Sequence, residues 1–139
     1  MKISIIVILL LFCSCEPYDG RLIFINNSDE TFYYTVSYSN NYKESNYLTE
    51  YEPNKATFEY VYKLKPNDSL RILNYGKNSW ESYIGHSIRD SLYIHTFDYK
   101  ILNEYKWETI YKKNKYSSKR AFAINQLDSI NWLIKIPLN

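Results

Sequence analysis

The distribution of cysteine limits the fold of this chain more than any other feature of its sequence. The chain has 139 residues and two cysteines, Cys13 and Cys15. Because no cysteine follows position 15, the rest of the chain can form no internal disulfide and offers neither a thiolate nucleophile nor a sulfur ligand for a metal. Its length is sufficient for one domain with a hydrophobic core. The sequence therefore predicts a fold that is stabilised by burial alone.

The apolar residues after position 20 follow the patterns that are typical of β-strands. Within residues 55–64 the aromatic and apolar side chains recur at every second position, which predicts a half-buried strand. Residues 91–97 are apolar or aromatic at most positions, which predicts a strand at the centre of a sheet. Further strands are predicted over residues 21–26 and 31–38, as an opening hairpin, and over residues 70–75, 121–124 and 132–136.

Helical signals interrupt these strands. Asp98 is expected to cap a helix whose apolar residues, from Ile101 to Ile110, recur at spacings of three and four. Residues 125–128 resemble a capping box, which predicts about one turn of helix. Residues 76–90 are expected to be irregular and to include one helical turn at most. The order of elements predicts a mainly β fold of the α+β class: an antiparallel β-sandwich, or a curved sheet with one or two short helices.

The first fifteen residues have the order of a secretory signal that ends at a lipid-attachment site. Lys2 precedes an apolar run over residues 3–12, which is half the roughly 20 residues that a helix needs to cross a bilayer. The segment resembles a bacterial lipoprotein signal, with Phe12 three positions before Cys15 and small Ser14 directly before it. The resemblance implies cleavage after residue 14 and a thioether-linked diacylglycerol on Cys15. The alternative is a plain secreted protein that is cleaved near the same position.

A short acidic tether follows Cys15. It contains Glu16 and Asp19, with a proline and a glycine that disfavour regular structure. Acidic residues at this place resemble the surface-export signal of Bacteroidetes lipoproteins, which implies an outer-membrane lipoprotein that is periplasmic or exposed at the surface. The predicted organisation is a signal peptide over residues 1–14, a lipidated tether over residues 15–20 and a single mainly β domain over residues 21–139.

Three motifs in the second half of the chain carry a resemblance to a family. They are the strand D-S-L-Y-I-H-T-F-D at residues 90–98, the helical Y-x-W-x-x-I at residues 105–110, and the final segment from Leu127 through N-W-L-I to Pro137. These motifs resemble those of small uncharacterised Bacteroidetes lipoproteins over most of the chain after the signal. The resemblance implies the cell-envelope address and the fold, and it implies no activity.

Charge and aromatic content bear on the partner. Without Lys2 the chain carries sixteen Lys and Arg against fifteen Asp and Glu, so no overall field favours nucleic acid. Its sixteen tyrosines are compatible with an aromatic surface that binds glycans or adheres to a partner. Tyr also suits strands and has A/T-rich codons, so a low-GC genome would enrich it without such a function.

The two histidines are the first candidates for chemistry. His86 and His95 lie near Asp90 and Asp98 in the sequence, a combination that could hold a metal or act as the acid/base pair of a hydrolase. A metal site needs three or four converging ligands, and this stretch has no recognised ligand spacing. His95 is expected to be packed within a strand and His86 to be exposed in a loop, so no metal site is predicted.

Other catalytic patterns are missing from the sequence. No serine lies in a G-x-S-x-G context, and three glycines are too few for a glycine-rich phosphate loop. Glu104 and Glu108 are expected one helical turn apart on an exposed face, whereas glycosidase chemistry needs a buried pair across a cleft. We therefore expect no enzyme and no cofactor.

Two surface features remain as candidate sites. A basic cluster is expected to contact anionic lipids, glycans or an acidic partner, or else to be a solvated loop after a helix; it comprises Lys112, Lys113, Lys115, Lys119 and Arg120. Three triplets of Asp, Ser and an apolar residue resemble the Bacteroidetes O-glycosylation pattern, and their serines are Ser69, Ser91 and Ser129. Such triplets also arise where a turn or cap meets an apolar run.

These observations leave three functional hypotheses. The first is a membrane-anchored lipoprotein whose non-catalytic β-domain binds an unknown protein or a glycan at the cell envelope. The second is an immunity or inhibitor lipoprotein that neutralises a periplasmic toxin or enzyme. The third is a hydrolase that uses His86 and His95 with Asp90 and Asp98.

Overall fold

A computed structural model describes residues 18–38, 61–87 and 89–138. The strands in these ranges are β1 (Tyr18–Asp19), β2 (Ile23–Asn26), β3 (Phe32–Ser37), β4 (Tyr62–Leu64), β5 (Ser69–Arg71), β6 (Asn74–Tyr75), β7 (Ser91–Phe97), β8 (Ser118–Ala123) and β9 (Leu133–Ile136). The helices are α1 (Ser79–Gly85), α2 (Tyr99–Glu104), α3 (Trp107–Lys112) and α4 (Ile124–Ser129). The prediction of a mainly β fold of the α+β class is confirmed, with four short helices in the described ranges where one or two were expected.

The described strands form three sheets. The largest has the order β4-β3-β7-β8 and is antiparallel throughout, with β7 inside it as expected of a central strand. The second has the order β5-β2-β9, in which β2 pairs antiparallel with β5 and parallel with β9. The third is the short antiparallel pair of β1 and β6. The β2–β9 pair is the one departure from the antiparallel pairing that was predicted for these strands.

The four-stranded sheet is covered on both faces. Leu92 and Ile94 of β7 belong to a first hydrophobic core, which they share with Trp80 of α1 and Phe24 of β2. The second core is built from β3, β7, α2 and α3, and its buried members are Tyr33, Phe97, Leu102, Trp107, Ile110 and Tyr111. Because successive residues of a strand point to opposite faces, β7 contributes to both cores, which explains why it is buried along nearly its whole length.

The predicted hairpin of β2 and β3 is wrong, because these strands belong to different sheets. The ring of Phe24 in β2 stacks on the ring of Tyr34 in β3, with their centroids 4.3 Å apart and their planes at 25°. The two strands therefore pack face to face, and this arrangement buries both rings completely. A hairpin would have required the same strands to pair along their edges.

Two other predicted elements are divided. Residues 70–75 contain the end of β5 and all of β6, which belong to different sheets, and the Ile72 N–H between them donates to the Leu22 carbonyl at 2.9 Å. The single helix predicted next is broken at Tyr105 and Lys106, where ψ is 144° and 148°. The break allows α2 and α3 to place their apolar side chains independently against the second core.

Both predicted helix caps are corrected. Asp98 directly precedes α2, but its side chain makes no capping hydrogen bond. α4 begins at Ile124, so residues 125–128 are not its capping box. Instead, the Ala123 N–H donates to Oε1 of Gln126 at 2.9 Å, which satisfies one of the free donors at the start of the helix.

Several predictions fall on residues outside the described ranges. These are the signal peptide over residues 1–14, the lipid site Cys15 with the first residues of the predicted tether, and the first part of the strand predicted over residues 55–64. The end of the tether, which was expected to be irregular, instead forms β1, because Tyr18 and Asp19 pair with β6 and Asp19 is buried. Among the helices that the structure describes, none has the length and apolar character needed to span a membrane.

Candidate functional site

A groove opens at one end of the four-stranded sheet, where the inner strand β3 begins and the inner strand β7 ends. The antiparallel register that pairs Tyr33 with Phe97 brings these strand ends together. The walls are residues 30–33 on one side and residues 97–100 on the other. The groove has a volume of about 640 Å³, and small-ligand sites commonly have volumes of roughly 300–1,000 Å³.

An exposed aromatic ring forms one wall of this groove. Tyr99 is the first residue of α2 and is 60% exposed. Its ring centroid lies 6.4 Å from that of Tyr33, at an interplanar angle of 43°. Tyr33 is buried against Phe97 in the second core, so it supports Tyr99 from below. The groove thus presents the exposed ring of Tyr99, which lies near a ring of the second core.

Charged side chains surround the aromatic face. Glu30 and Asp98 contribute two exposed carboxylates, and Lys100 contributes an exposed ammonium. The Asp98 N–H donates to Oγ of Ser117 at 2.8 Å, which fixes the backbone of this residue. Because the Asp98 carboxylate does not cap α2, it remains available to the groove. The site therefore combines an aromatic surface with hydrogen-bond acceptors and a cationic donor.

The rim that carries Glu30 is held by a buried asparagine. The Nδ2 atom of Asn26 donates to the carbonyl oxygens of Glu30 at 2.7 Å and Lys65 at 2.8 Å. A longer bond of 3.4 Å joins the same Nδ2 to the carbonyl of Leu64. Its Oδ1 accepts from the Ser28 N–H at 3.0 Å and from the Ser28 hydroxyl at 2.8 Å. Asn26 thus links the end of β2 to the segment before β3 and to the end of β4.

A second exposed apolar surface lies near the start of β2. We call it the tyrosine patch, and it consists of Tyr18, Leu73 and Tyr75, which are 59%, 51% and 56% exposed. Tyr18 pairs with Tyr75 between β1 and β6, and their rings meet edge to face with centroids 5.7 Å apart. A neighbouring depression of about 290 Å³ is lined in part by Arg71 and Lys77.

A charged network lies beside the tyrosine patch. Arg21 forms two side-chain hydrogen bonds to Asp19, at 2.9 and 2.7 Å, and one to Glu81 at 2.5 Å. Its guanidinium carbon also lies 4.3 Å from the ring centroid of Trp132. The Trp80 indole N–H donates to the Asp19 carbonyl at 3.0 Å, which ties α1 to β1. The network anchors the N-terminal strand to the domain.

The pKa values of this network follow from its hydrogen bonds. Burial acts to raise the pKa of Asp19, but hydrogen bonds from the Arg21 side chain and backbone and from the Trp80 N–H together lower it. The pKa of Arg21 is raised, first by its hydrogen bonds to Asp19 and Glu81. Each shift favours the charged form, so Asp19 and Arg21 stay ionised at neutral pH.

The structure does not bring the histidines and aspartates together. His95 is completely buried within β7, as expected of a packed histidine, and its ring contacts Tyr116 at a centroid distance of 5.2 Å. His86 is exposed after α1, and its Nδ1 lies 2.6 Å from the Ser82 carbonyl. Asp90 and Asp98 flank the seven residues of β7, which separates them by roughly 25 Å at the usual strand rise. The described residues contain no group of three or more His, Cys, Asp or Glu that could hold a metal ion.

The paired glutamates are separated as well. Glu104 lies in α2 and Glu108 in α3, so the prediction that they share one helical face is wrong. Each is in an ion pair within its own helix: Glu104 with Lys100 at 3.8 Å, and Glu108 with Lys112.

The predicted basic cluster is divided between surfaces. Lys112 and Lys113 are exposed at the end of α3, and the ammonium of Lys115 lies 4.0 Å from the ring centroid of Tyr105. Lys119 and Arg120 are neighbours in β8, so their side chains point to opposite faces of the sheet. Arg120 is therefore directed away from the face that carries Lys119, and contact of the cluster with an anionic partner stays a prediction.

The three candidate O-glycosylation serines lie at the ends of elements. Ser69 is exposed at the start of β5, and its N–H donates to Oδ1 of Asp68 at 2.8 Å. The hydroxyls of Ser91 and Ser129 donate to the carbonyls of Arg89 at 2.9 Å and Gln126 at 2.7 Å. These positions agree with turns and caps, and glycosylation stays a prediction.

The sequence pattern did not reveal the groove. Glu30 lies between the two strands of the predicted opening hairpin and Asp98 is a predicted helix cap, and neither pattern indicates that the two residues line the same site. In the sequence, the groove is indicated only by polar and aromatic residues at the start of β3 and at the end of β7. Their proximity depends on the pairing of β3 with β7.

Fold and site together define a mainly β domain with an exposed aromatic groove at one end. No protein-family model, curated protein or solved structure matches this chain.

Proposed function

We propose that this protein is an outer-membrane lipoprotein whose non-catalytic β-domain binds a glycan at the cell envelope. The observation that carries the proposal is the groove beside Tyr99, where an exposed ring lies next to the carboxylates of Glu30 and Asp98. The apolar face of a sugar ring packs on an aromatic face, while carboxylates accept hydrogen bonds from sugar hydroxyls. An open groove also accommodates a chain of sugars better than an enclosed cavity would.

Loss of the aromatic wall is expected to abolish most glycan binding. The full-length protein, purified from membranes in detergent, is tested against polysaccharides from the envelope of its own host. Tyr99→Ala is expected to weaken binding about tenfold, which corresponds to roughly 1.4 kcal/mol. Tyr75→Ala is the matched control, because Tyr75 is 56% exposed but lies outside the groove. Its affinity is expected to equal that of the parent.

Two outcomes of this experiment contradict the proposal. Equal binding by Tyr99→Ala and the parent would show that the groove is not the glycan site. If no glycan binds and a single protein co-purifies with the parent from membranes, the partner is a protein. A toxin or enzyme as that partner would favour the immunity or inhibitor class.

The anchor is supported by the signal-like segment that precedes Cys15. Cys15→Ser is expected to abolish incorporation of labelled palmitate, because only a cysteine can form the thioether to the diacylglycerol. Cys13→Ser is the matched control, since Cys13 would be removed with the signal, and this variant is expected to keep the label. Fatty-acid labelling is measured on immunoprecipitated protein. If the label persists in Cys15→Ser and disappears in Cys13→Ser, the lipid is attached to Cys13 and the assignment of Cys15 is wrong.

A further inference from the structure

We infer that the tyrosine patch lies on the lipid surface, so that the groove at the other end of the domain points away from the membrane. The inference rests on the lipid attachment proposed above and adds an orientation to it. The occupant of the patch is the headgroup region of the membrane to which the protein is anchored.

The first argument is the concentration of exposed apolar side chains. Among the described residues, five large hydrophobic side chains are exposed, and three of them are Tyr18, Leu73 and Tyr75. They form one surface, because the two tyrosine rings contact each other. Leu73 joins it beside Gly20, where its Cδ2 atom lies 2.9 Å from the place that a Cβ on Gly20 would take. Tyrosine is enriched at membrane interfaces, where its apolar ring and polar hydroxyl match the two environments.

The second argument is charge. Arg71 and Lys77 are exposed at the border of the patch and line the adjacent depression. The aliphatic part of Arg71 lies beside Gly20, and its Nη1 donates to the Gly20 carbonyl at 3.0 Å, so it is held at this surface. Basic residues close to an anionic lipid surface strengthen the binding of a protein to that surface. The patch thus has the aromatic and cationic composition that suits lipid headgroups.

The third argument is the reach of the anchor. Tyr18 follows Cys15 by three residues, and three residues span at most about 11 Å when fully extended. β1 is therefore held next to the membrane, and a face that touches the bilayer has to include it. If another end of the domain faced the bilayer, β1 would lie farther from the membrane than the three residues after Cys15 can span.

The groove lies at the opposite end of the same strand. The Ile23 end of β2 pairs with Arg71 next to the tyrosine patch. The other end of β2 is Asn26, whose side chain holds the Glu30 rim of the groove. Docking of the patch on lipid therefore directs the groove toward the space beyond the membrane, where envelope glycans are located.

The absence of cysteine after position 15 permits a direct test of this orientation. The lipidated protein is reconstituted into vesicles of phosphatidylethanolamine and phosphatidylglycerol that contain brominated lipid. One sample carries a fluorophore through Leu73→Cys and a second carries it through Tyr99→Cys, since both side chains are more than half exposed and Tyr99 lies at the other end. The label at position 73 is expected to be quenched several-fold more than the label at position 99.

A second variant tests the contacts themselves. Tyr18→Ser combined with Tyr75→Ser is expected to lower the quenching at position 73 toward that at position 99 without removing it, because the anchor still holds β1 near the membrane. The protein is expected still to float with the vesicles. Equal quenching at positions 73 and 99 in floating protein overturns the orientation and leaves the lipoprotein proposal intact. Protein that does not float at all instead overturns the lipid attachment at Cys15.

Discussion

Replacement of Asn26 by aspartate is expected to destabilise the protein by about 3 to 5 kcal/mol, the usual cost of an uncompensated charge in a protein interior. Asn26 is completely buried. Aspartate has nearly the same shape and keeps the acceptor that Ser28 uses. It loses the two N–H donors, however, and directs a carboxylate at the carbonyl oxygens of Glu30 and Lys65. The variant therefore isolates the donor side of this residue.

The measurement is denaturant unfolding of the purified protein at pH 7, followed by tryptophan fluorescence. Ser28→Ala is the matched control, because it leaves the Asn26 donors in place and removes the Ser28 hydroxyl, which donates to Asn26 Oδ1 and accepts from the Glu30 N–H. It is expected to cost about 1 kcal/mol. A loss of less than about 1 kcal/mol in Asn26→Asp would mean that the donors of Asn26 do not link the two sheets.

Local sequence pattern was sufficient to locate strands that are buried on one or both faces. Ser91–Phe97 was predicted as a central strand and is one, because a strand between two cores needs apolar residues on both faces. The same pattern did not specify strand partners. The connection from Asn26 to Phe32 is compatible with a hairpin, and the stacking of Phe24 on Tyr34 decides against it.

The groove was harder to predict from sequence pattern than the strand partners. Its two walls are more than sixty residues apart in the chain, and the register of β3 against β7 brings them together. The sequence predicted that the Asp98 carboxylate caps α2. It makes no capping hydrogen bond, and it is therefore exposed in the groove. Propensity locates a helix start, whereas tertiary packing decides what each side chain near it does.

His95 is a case in which local pattern and tertiary structure agree, and it has a consequence for stability. Its position within β7 predicted a packed histidine, and the side chain is completely buried. Burial, and secondly the positive charge of Lys119 on β8, lower the pKa of His95 from 6.5 to about 3. The ring of Tyr116 contacts the imidazole ring of His95 edge to face, with their centroids 5.2 Å apart.

The lowered pKa predicts that the protein loses stability as the pH falls from about 6.5 toward 3. In this window the unfolded chain binds a proton at His95 and the folded chain does not, which costs about 1.4 kcal/mol per pH unit. Between pH 7 and pH 4.5 the free energy of unfolding is expected to fall by about 2 to 3 kcal/mol, before most carboxylates titrate.

The pH dependence of denaturant unfolding in three proteins tests this prediction. His95→Gln is expected to remove most of the decrease between pH 7 and pH 4.5, whatever its stability at pH 7. His86→Gln is the control, because His86 is exposed, and it is expected to keep the decrease. If His95→Gln does not fold, the ring resonances of His95 in the parent provide the second measurement, since they are expected not to titrate above pH 4.5 while the protein is folded. Titration of these resonances near pH 6.5 would contradict the prediction. His95 would then bind a proton equally in the folded and unfolded chain, and it would not contribute to the pH dependence of stability.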